Sequence, residues 1–187
     1  VSLSVTNREH LLERIVAYMD DLYILGQPPP EIDVAAYPLV PNPLVVMASR
    51  DHPLVGVRNI PLTRLLEEPF ILRERGSGTR AAVIRLFESK GLSAPLAHME
   101  LASNEAIKHV ISANLGISVM SLHALALEGT DGPIAILDVQ GFPIERHWYL
   151  VHPRDKNVSI IAQSFLALVR EQGQEIGEKF DREIAKI

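Results

Sequence analysis

A repeated order of apolar strand, amphipathic helix and single glycine through its middle limits what this chain can fold into. Phe70-Ile71-Leu72 reads as a strand, Ala81 to Lys90 as a helix with apolar Ala82, Val83, Leu86 and Phe87, and Gly91 as the residue that ends it. The order repeats with Leu96 to Leu101, Glu105 to Leu115 and Gly116, and again with Ile117 to Met120, Leu122 to Glu128 and Gly129. Strands alternating with helices and closed by glycine predict an α/β domain with a largely parallel sheet. Ile134 to Val139 and Ile144 to Val151 then read as two strands around the turn Gly141-Phe142-Pro143.

The flanks follow a different rhythm. Val1, Leu3 and Val5 alternate with Ser2, Ser4 and Thr6, the period of a half-buried strand. Thr6 and Glu9 stand in capping-box spacing before Leu11, Leu12, Ile15 and Met19, so a helix is expected next. The short run Leu22 to Leu25 is stopped by Gly26 and Pro28-Pro29-Pro30. Two apolar runs, Ile32 to Val40 and Leu44 to Ala48, are separated by Pro41-Asn42-Pro43, which reads as a crossing between two lobes. From Val158 the chain is helical. Ile161, Phe165, Leu168 and Val169 form one stripe, and Ile176, Phe180, Ile184 and Ile187 continue it beyond Gly173. This stripe is expected to face its own lobe, with a partner surface as the other option.

Composition removes several classes of function. The 187 residues include no cysteine, which excludes disulfides, thiolate metal sites and cysteine nucleophiles. With 47% hydrophobic residues a sizeable core needs no covalent staple. Lys and Arg number 18 against 23 Asp and Glu, a net charge of −5, and no stretch gathers the basic residues. Direct binding to nucleic acid, which needs a basic face, is therefore not expected of this chain. No apolar run is long enough to span a membrane, and the start lacks the basic region of a signal peptide. The start lacks Met and falls within a strand pattern, as expected of a piece of something longer.

Arg75-Gly76-Ser77-Gly78-Thr79-Arg80 is the sharpest chemical feature, because it joins a strand to a helix. Gly76 and Gly78 let backbone approach a ligand, the amides at the helix start point outward, Ser77 and Thr79 add hydroxyls, and Arg75 and Arg80 add charge. Those are the requirements of a phosphate or carboxylate site. They are also met by a plain capped turn. Gly76, Gly78 and Ala81 with Glu100 further on match the form of a dinucleotide fingerprint. Against it, Arg73, Glu74 and Arg75 put charges between strand and first glycine, and Glu100 falls inside its strand. Thr6-Asn7 and Ser103-Asn104 are polar turns of the same kind, each a ligand contact or simply an N-cap. The histidines lack metal spacing, His147 and His152 falling on opposite faces of one strand, and no nucleophile elbow or paired catalytic carboxylate is present. No catalytic residue, metal site or cofactor is assigned.

Several ordered motifs together carry a resemblance that covers nearly the whole chain. Leu44-Val45-Val46-Met47-Ala48-Ser49-Arg50-Asp51-His52-Pro53-Leu54, then Ser103 to Lys108 leading to Asn114-Leu115-Gly116-Ile117-Ser118, then Tyr149-Leu150-Val151-His152-Pro153 resemble the effector-binding domain of LysR-type transcriptional regulators. Glu74 to Arg80 and Gly141 to Leu150 resemble the branch that controls carbon-fixation (RuBisCO) operons.

The resemblance implies a type II periplasmic-binding-protein-like α/β fold of two Rossmann-like lobes joined by two crossover strands. Residues 1–42 with 150–187 would form the first lobe, short at its start, and residues 43–149 the second. A small anionic metabolite, a phosphorylated sugar or acid or NADPH, would bind between the lobes. Thr6 and Asn7 would face it from one side, and Arg75, Gly76, Ser77, Gly78, Thr79, Arg80, Ser103 and Asn104 from the other. The resemblance further implies a cytoplasmic dimer or tetramer that meets promoter DNA only through a winged helix-turn-helix domain, which these residues lack. Two other readings share the fold: a periplasmic solute-binding receptor of a transporter, and an enzyme such as a dehydratase of cyclohexadienyl acids.

Overall fold

The computed structural model describes residues 1–125 and 132–184. In chain order the elements are α1 (Arg8–Val16), β1 (Tyr23–Leu25), β2 (Val34–Pro41), β3 (Leu44–Ser49), β4 (Phe70–Arg73), α2 (Gly78–Ser89), β5 (Ala97–Leu101), α3 (Asn104–Ser112), β6 (Ile117–Ser121), β7 (Ile134–Leu137), β8 (His147–Pro153) and α4 (Ile160–Ile184). Contacts divide the described residues into two compact units, 1–42 with 146–184, and Pro43–Glu145. The outward crossing falls at Asn42, within Pro41-Asn42-Pro43, and the return at Arg146, ahead of Leu150, because β8 pairs with β2 from His147.

The first unit holds a three-stranded antiparallel sheet in the order β1-β8-β2. Ile15 on α1 is fully buried against Tyr23, Leu25 and Val151, with Leu11 and Leu12 at the edge of the cluster. The helix begins at Arg8, and its cap is Asn7, whose Oδ1 accepts from the His10 amide at 3.0 Å. The cap is therefore one residue later than the Thr6–Glu9 spacing predicts. The helix ends before Tyr18, which sits at φ 53° and whose hydroxyl donates to Asp155 at 2.7 Å. Met19 thus lies beyond the helix and is exposed.

Two sequence expectations for this unit are corrected. Residues 1–5 form no strand, and Val1, Leu3 and Val5 are exposed. Alternation supplies a strand's faces, but a ladder also needs a neighbouring backbone, and no strand of this sheet lies beside them. On α4 the expected stripe is on the outside: Ile161 is 76%, Phe165 45% and Leu168 46% exposed, whereas Ala162 and Leu166 are buried. Both sets satisfy helical spacing, so spacing alone does not choose the inward face. The side chains of Ile176, Phe180, Ile184 and Ile187 lie outside the described residues.

The second unit holds a five-stranded sheet in the order β5-β4-β6-β3-β7. It is mixed, not largely parallel. Strands β5, β4 and β6 run parallel, while β3 is antiparallel to both β6 and β7. Parallel pairing needs a crossover, which α2 and α3 supply; no α-helix leads from β3 to β4. Both faces of the sheet are covered. Leu44, Val46, Ala48, Phe70, Leu72, Ile117 and Val119 pack with Val83 and Phe87 of α2. Val45, Met47, Ile71 and Met120 pack with Ile107 and Ile111 of α3. That two-sided cover is why β3 is apolar at nearly every position.

Helix and turn boundaries differ in detail from the sequence reading. Helix α2 starts at Gly78 rather than Ala81, because Ser77 caps it. The expected strands on either side of Gly141-Phe142-Pro143 do not pair with each other: β7 joins the second sheet and β8 the first. Leu122–Leu125 is a short 3-10 turn, and Glu128 and Gly129 lie outside the described residues. Among the described residues no helix is long and apolar enough to cross a membrane.

Candidate functional site

Parallel neighbours β4 and β5 end side by side, and each leads through a polar turn into a helix. After Arg73 the chain passes Glu74, Arg75 and Gly76, whose φ of 82° is a conformation that suits glycine. Buried Ser77 then caps α2, its Oγ accepting from the Thr79 amide at 3.3 Å. After Leu101, Ser103 caps α3 in the same way, accepting from the Ala106 amide at 3.3 Å. Two helix N-termini, each the positive end of a helix dipole, are thereby set on one edge of the sheet.

Side chains tie the two turns together. Register pairs Leu72 with Glu100 and Arg73 with Leu101. Leu72 packs on the α2 side, so Glu100 projects to that side as well; Arg73, next along β4, projects to the α3 side. Arg80 of α2 pairs with the Glu100 carboxylate, and its Nη1 also donates to Arg73 O at 3.0 Å. The Arg75 amide donates to the other Glu100 oxygen at 3.3 Å. Arg73 Nη1 donates to Asn104 Oδ1 at 2.9 Å, and the same guanidinium holds Glu74 at 2.8 and 3.1 Å. The Arg80 guanidinium, and then the Arg75 amide, hold the Glu100 carboxyl below the usual carboxylate range.

Of the residues singled out from sequence, Arg75, Gly76, Ser77, Gly78, Thr79, Arg80, Ser103 and Asn104 all lie on these two adjoining turns. Thr6 and Asn7 belong to the first unit, where Thr6 is exposed and Asn7 serves α1 as its cap. Sequence reasoning used Arg73 only as a charge against a dinucleotide fingerprint, and it weighed Glu100 only as that fingerprint's acidic residue, a role its pairing with Arg80 and the Arg75 amide does not match. The available signal was parity: polar His98 and Glu100 alternate with Met99 and Leu101, which marks Glu100 as a group on the α2 face. Among the described residues no group of three or more His, Asp or Glu is placed to hold a metal ion. Chemically, the arrangement offers guanidinium, amide and hydroxyl donors to an oxyanion.

Comparison with known proteins decides what this arrangement belongs to. The family described as LysR substrate binding domain matches residues 1–174. The chain belongs to that family. This LysR domain is 51% identical over 166 residues to the HTH-type transcriptional activator CmpR of Synechocystis sp., covering 89% of the chain and 54% of CmpR. It is 48% identical over 164 residues to the RuBisCO operon transcriptional regulator of Acidithiobacillus ferrooxidans, covering 88% of the chain and 53% of that protein. The LysR domain here thus spans about half the length of the curated relatives it matches.

Among solved structures it is similar to the CcmR regulatory domain of Synechocystis in complex with 2-PG, with a TM-score of 0.85, 49% identity, and coverage of 90% of this chain and 80% of that one. The effector binding domain of QuiR in complex with shikimate shares the fold at 20% identity and a TM-score of 0.76, over 93% of this chain and 79% of that one. The fold class is therefore α/β of the type II periplasmic-binding-protein-like kind.

Proposed function

We propose that this chain is the effector-sensing part of a cytoplasmic LysR-type regulator of carbon-fixation genes, and that it takes an anionic metabolite on the paired turns of its second unit. The observation that carries the reading is the juxtaposition of Arg75, Arg80, Ser77, Thr79, Ser103 and Asn104 where two helices begin. Oriented amides and guanidinium groups favour phosphate esters above other ligands, because each phosphate oxygen accepts a charge-assisted hydrogen bond. The relatives named as RuBisCO operon regulators support the carbon-fixation reading, and a similar regulatory domain in complex with 2-PG supports this class of ligand. That class is phosphorylated acids and sugars, with NADPH as the dinucleotide candidate.

Regulation follows if the effector binds one arrangement of the domain more tightly than another, since equal affinity for both shifts nothing. Promoter DNA is met through a winged helix-turn-helix domain of the whole protein, acting as a dimer or tetramer, which suits the acidic balance of these residues. The relatives' own names speak for a regulator over a transport receptor or a dehydratase.

The test is calorimetric titration with 2-PG. Arg80→Ala is expected to weaken binding by about tenfold or more, the worth of a charge-assisted hydrogen bond. Circular dichroism should show the fold intact. Unchanged affinity in Arg80→Ala would remove the β4–α2 turn from the effector site.

A further inference from the structure

We infer that Glu100 is a built-in competitor at this anion site: its carboxylate holds the donors an effector must take and so sets the threshold the effector has to exceed. The inference rests on the anion reading given above. One Glu100 oxygen pairs with the Arg80 guanidinium, and the other accepts from the Arg75 amide at 3.3 Å. A guanidinium and the backbone N–H of the glycine-bearing turn are the donors that make this turn suitable for an oxyanion, and in this structure they hold a carboxylate supplied by the neighbouring strand. Arg73 is committed elsewhere, since it holds Glu74 and Asn104. The Arg75 guanidinium is exposed, and its charge adds to the hold on Glu100.

The placement follows from the fold. Glu100 lies on β5 in register with Leu72, on the side of the sheet that α2 covers, and Arg80 sits in the first turn of α2. Its side chain is 40% exposed, against 17% for Arg80. The carboxylate can therefore swing toward solvent, while Arg80 stays held by Arg73 O.

The consequence concerns which ligands the site answers to. A ligand offering a single carboxylate replaces Glu100 like for like and still bears the cost of association. A phosphate ester carries a charge of about −1.5 to −2 near neutral pH and three acceptor oxygens, so it can engage Arg80, Arg75 and the turn amides together. Pure competition has a quantitative signature. Removing the competitor raises the affinity of every anion at the site by one common factor, whatever its chemistry.

The experiment measures dissociation constants for 2-PG and for malonate, in the unaltered protein and in Glu100→Gln, Glu100→Ala and Arg80→Ala, with thermal melts to confirm folding. Glu100→Gln is expected to tighten both ligands by the same factor, about tenfold, the scale of exchanging charge-assisted for neutral hydrogen bonds. Glu100→Ala should tighten them at least as much. Unchanged or weakened binding in both Glu100 variants would overturn the assignment and make Glu100 a positioning group for Arg80. Tightening by clearly different factors would overturn it too, because Glu100 would then touch the bound ligand. If Arg80→Ala itself leaves 2-PG affinity unchanged, the anion reading of the turn fails. If Arg80→Ala weakens binding while the Glu100 variants do not tighten it, only the competitor role fails.

Discussion

Gly116 is packed so closely on Pro69 that a β-carbon added to it would lie 2.3 Å from the Pro69 carbonyl oxygen. The same oxygen accepts from the Ile117 amide at 2.9 Å, the bond that starts β6 beside β4. At φ 148° Gly116 also occupies a backbone region that side chains rarely enter. Gly116→Ala must therefore move backbone at the point where the parallel ladder begins. The expected loss is about 2 kcal/mol or more, from strain together with a disturbed hydrogen bond. Urea denaturation should show a lower midpoint at an unchanged slope; an unaltered midpoint would mean that the Pro69 carbonyl gives way freely.

Truncations separate the core from the surface of the second unit. Phe87 is fully buried between α2 and the sheet, whereas Leu96, just before β5, is 90% exposed. Phe87→Ala should cost about 3–5 kcal/mol through lost transfer energy and the cavity left behind. Leu96→Ala should stay within about 0.5 kcal/mol. Chemical denaturation of the two variants side by side checks the contrast, which disappears if the two costs are equal.

The caps on α2 and α3 serve folding. Ser77 Oγ and Ser103 Oγ each satisfy one amide of the first turn, at 3.3 Å in both cases. Ser77→Ala and Ser103→Ala should each cost about 1 kcal/mol, and the aspartate variants should recover most of it. Melting temperatures of the four variants report this. No recovery with aspartate would show that the hydroxyls act by packing and not as acceptors.

Acid should weaken the protein through two named carboxylates. Arg14 donates to both oxygens of Asp20, at 2.8 and 2.6 Å, and holds that carboxyl below its ordinary range, as Arg80 and the Arg75 amide do for Glu100. Because both groups titrate lower when folded than when unfolded, their contribution is complete above the ordinary carboxylate range, near about pH 4. It is lost as the pH falls through the folded-state values. Denaturation midpoints measured from neutral pH downward should decline over that range, and Asp20→Asn and Glu100→Gln should each flatten the decline. Parallel curves for all three proteins would assign the acid sensitivity to other groups.

Much of this architecture is written locally. Hydrophobic runs of period two and stripes of helical period, punctuated by Gly91 and by the prolines around Asn42, place strands, helices and the outward crossing, because each depends on neighbours in the chain. The donor-rich turn from Arg75 to Arg80 is legible for the same reason. What the sequence could not decide was pairing. Whether Val1 to Val5 joins a ladder, whether Ile161 or Ala162 faces inward on α4, whether β3 runs with or against β6, and whether Glu100 meets Arg80 all depend on groups far away in sequence. Period and composition name the faces a segment offers; only the tertiary arrangement brings a distant backbone or charge against one of them. The donor-rich turn was thus set by the sequence, and the carboxylate that meets its Arg80 and Arg75 amide was set by the register of β5 on β4.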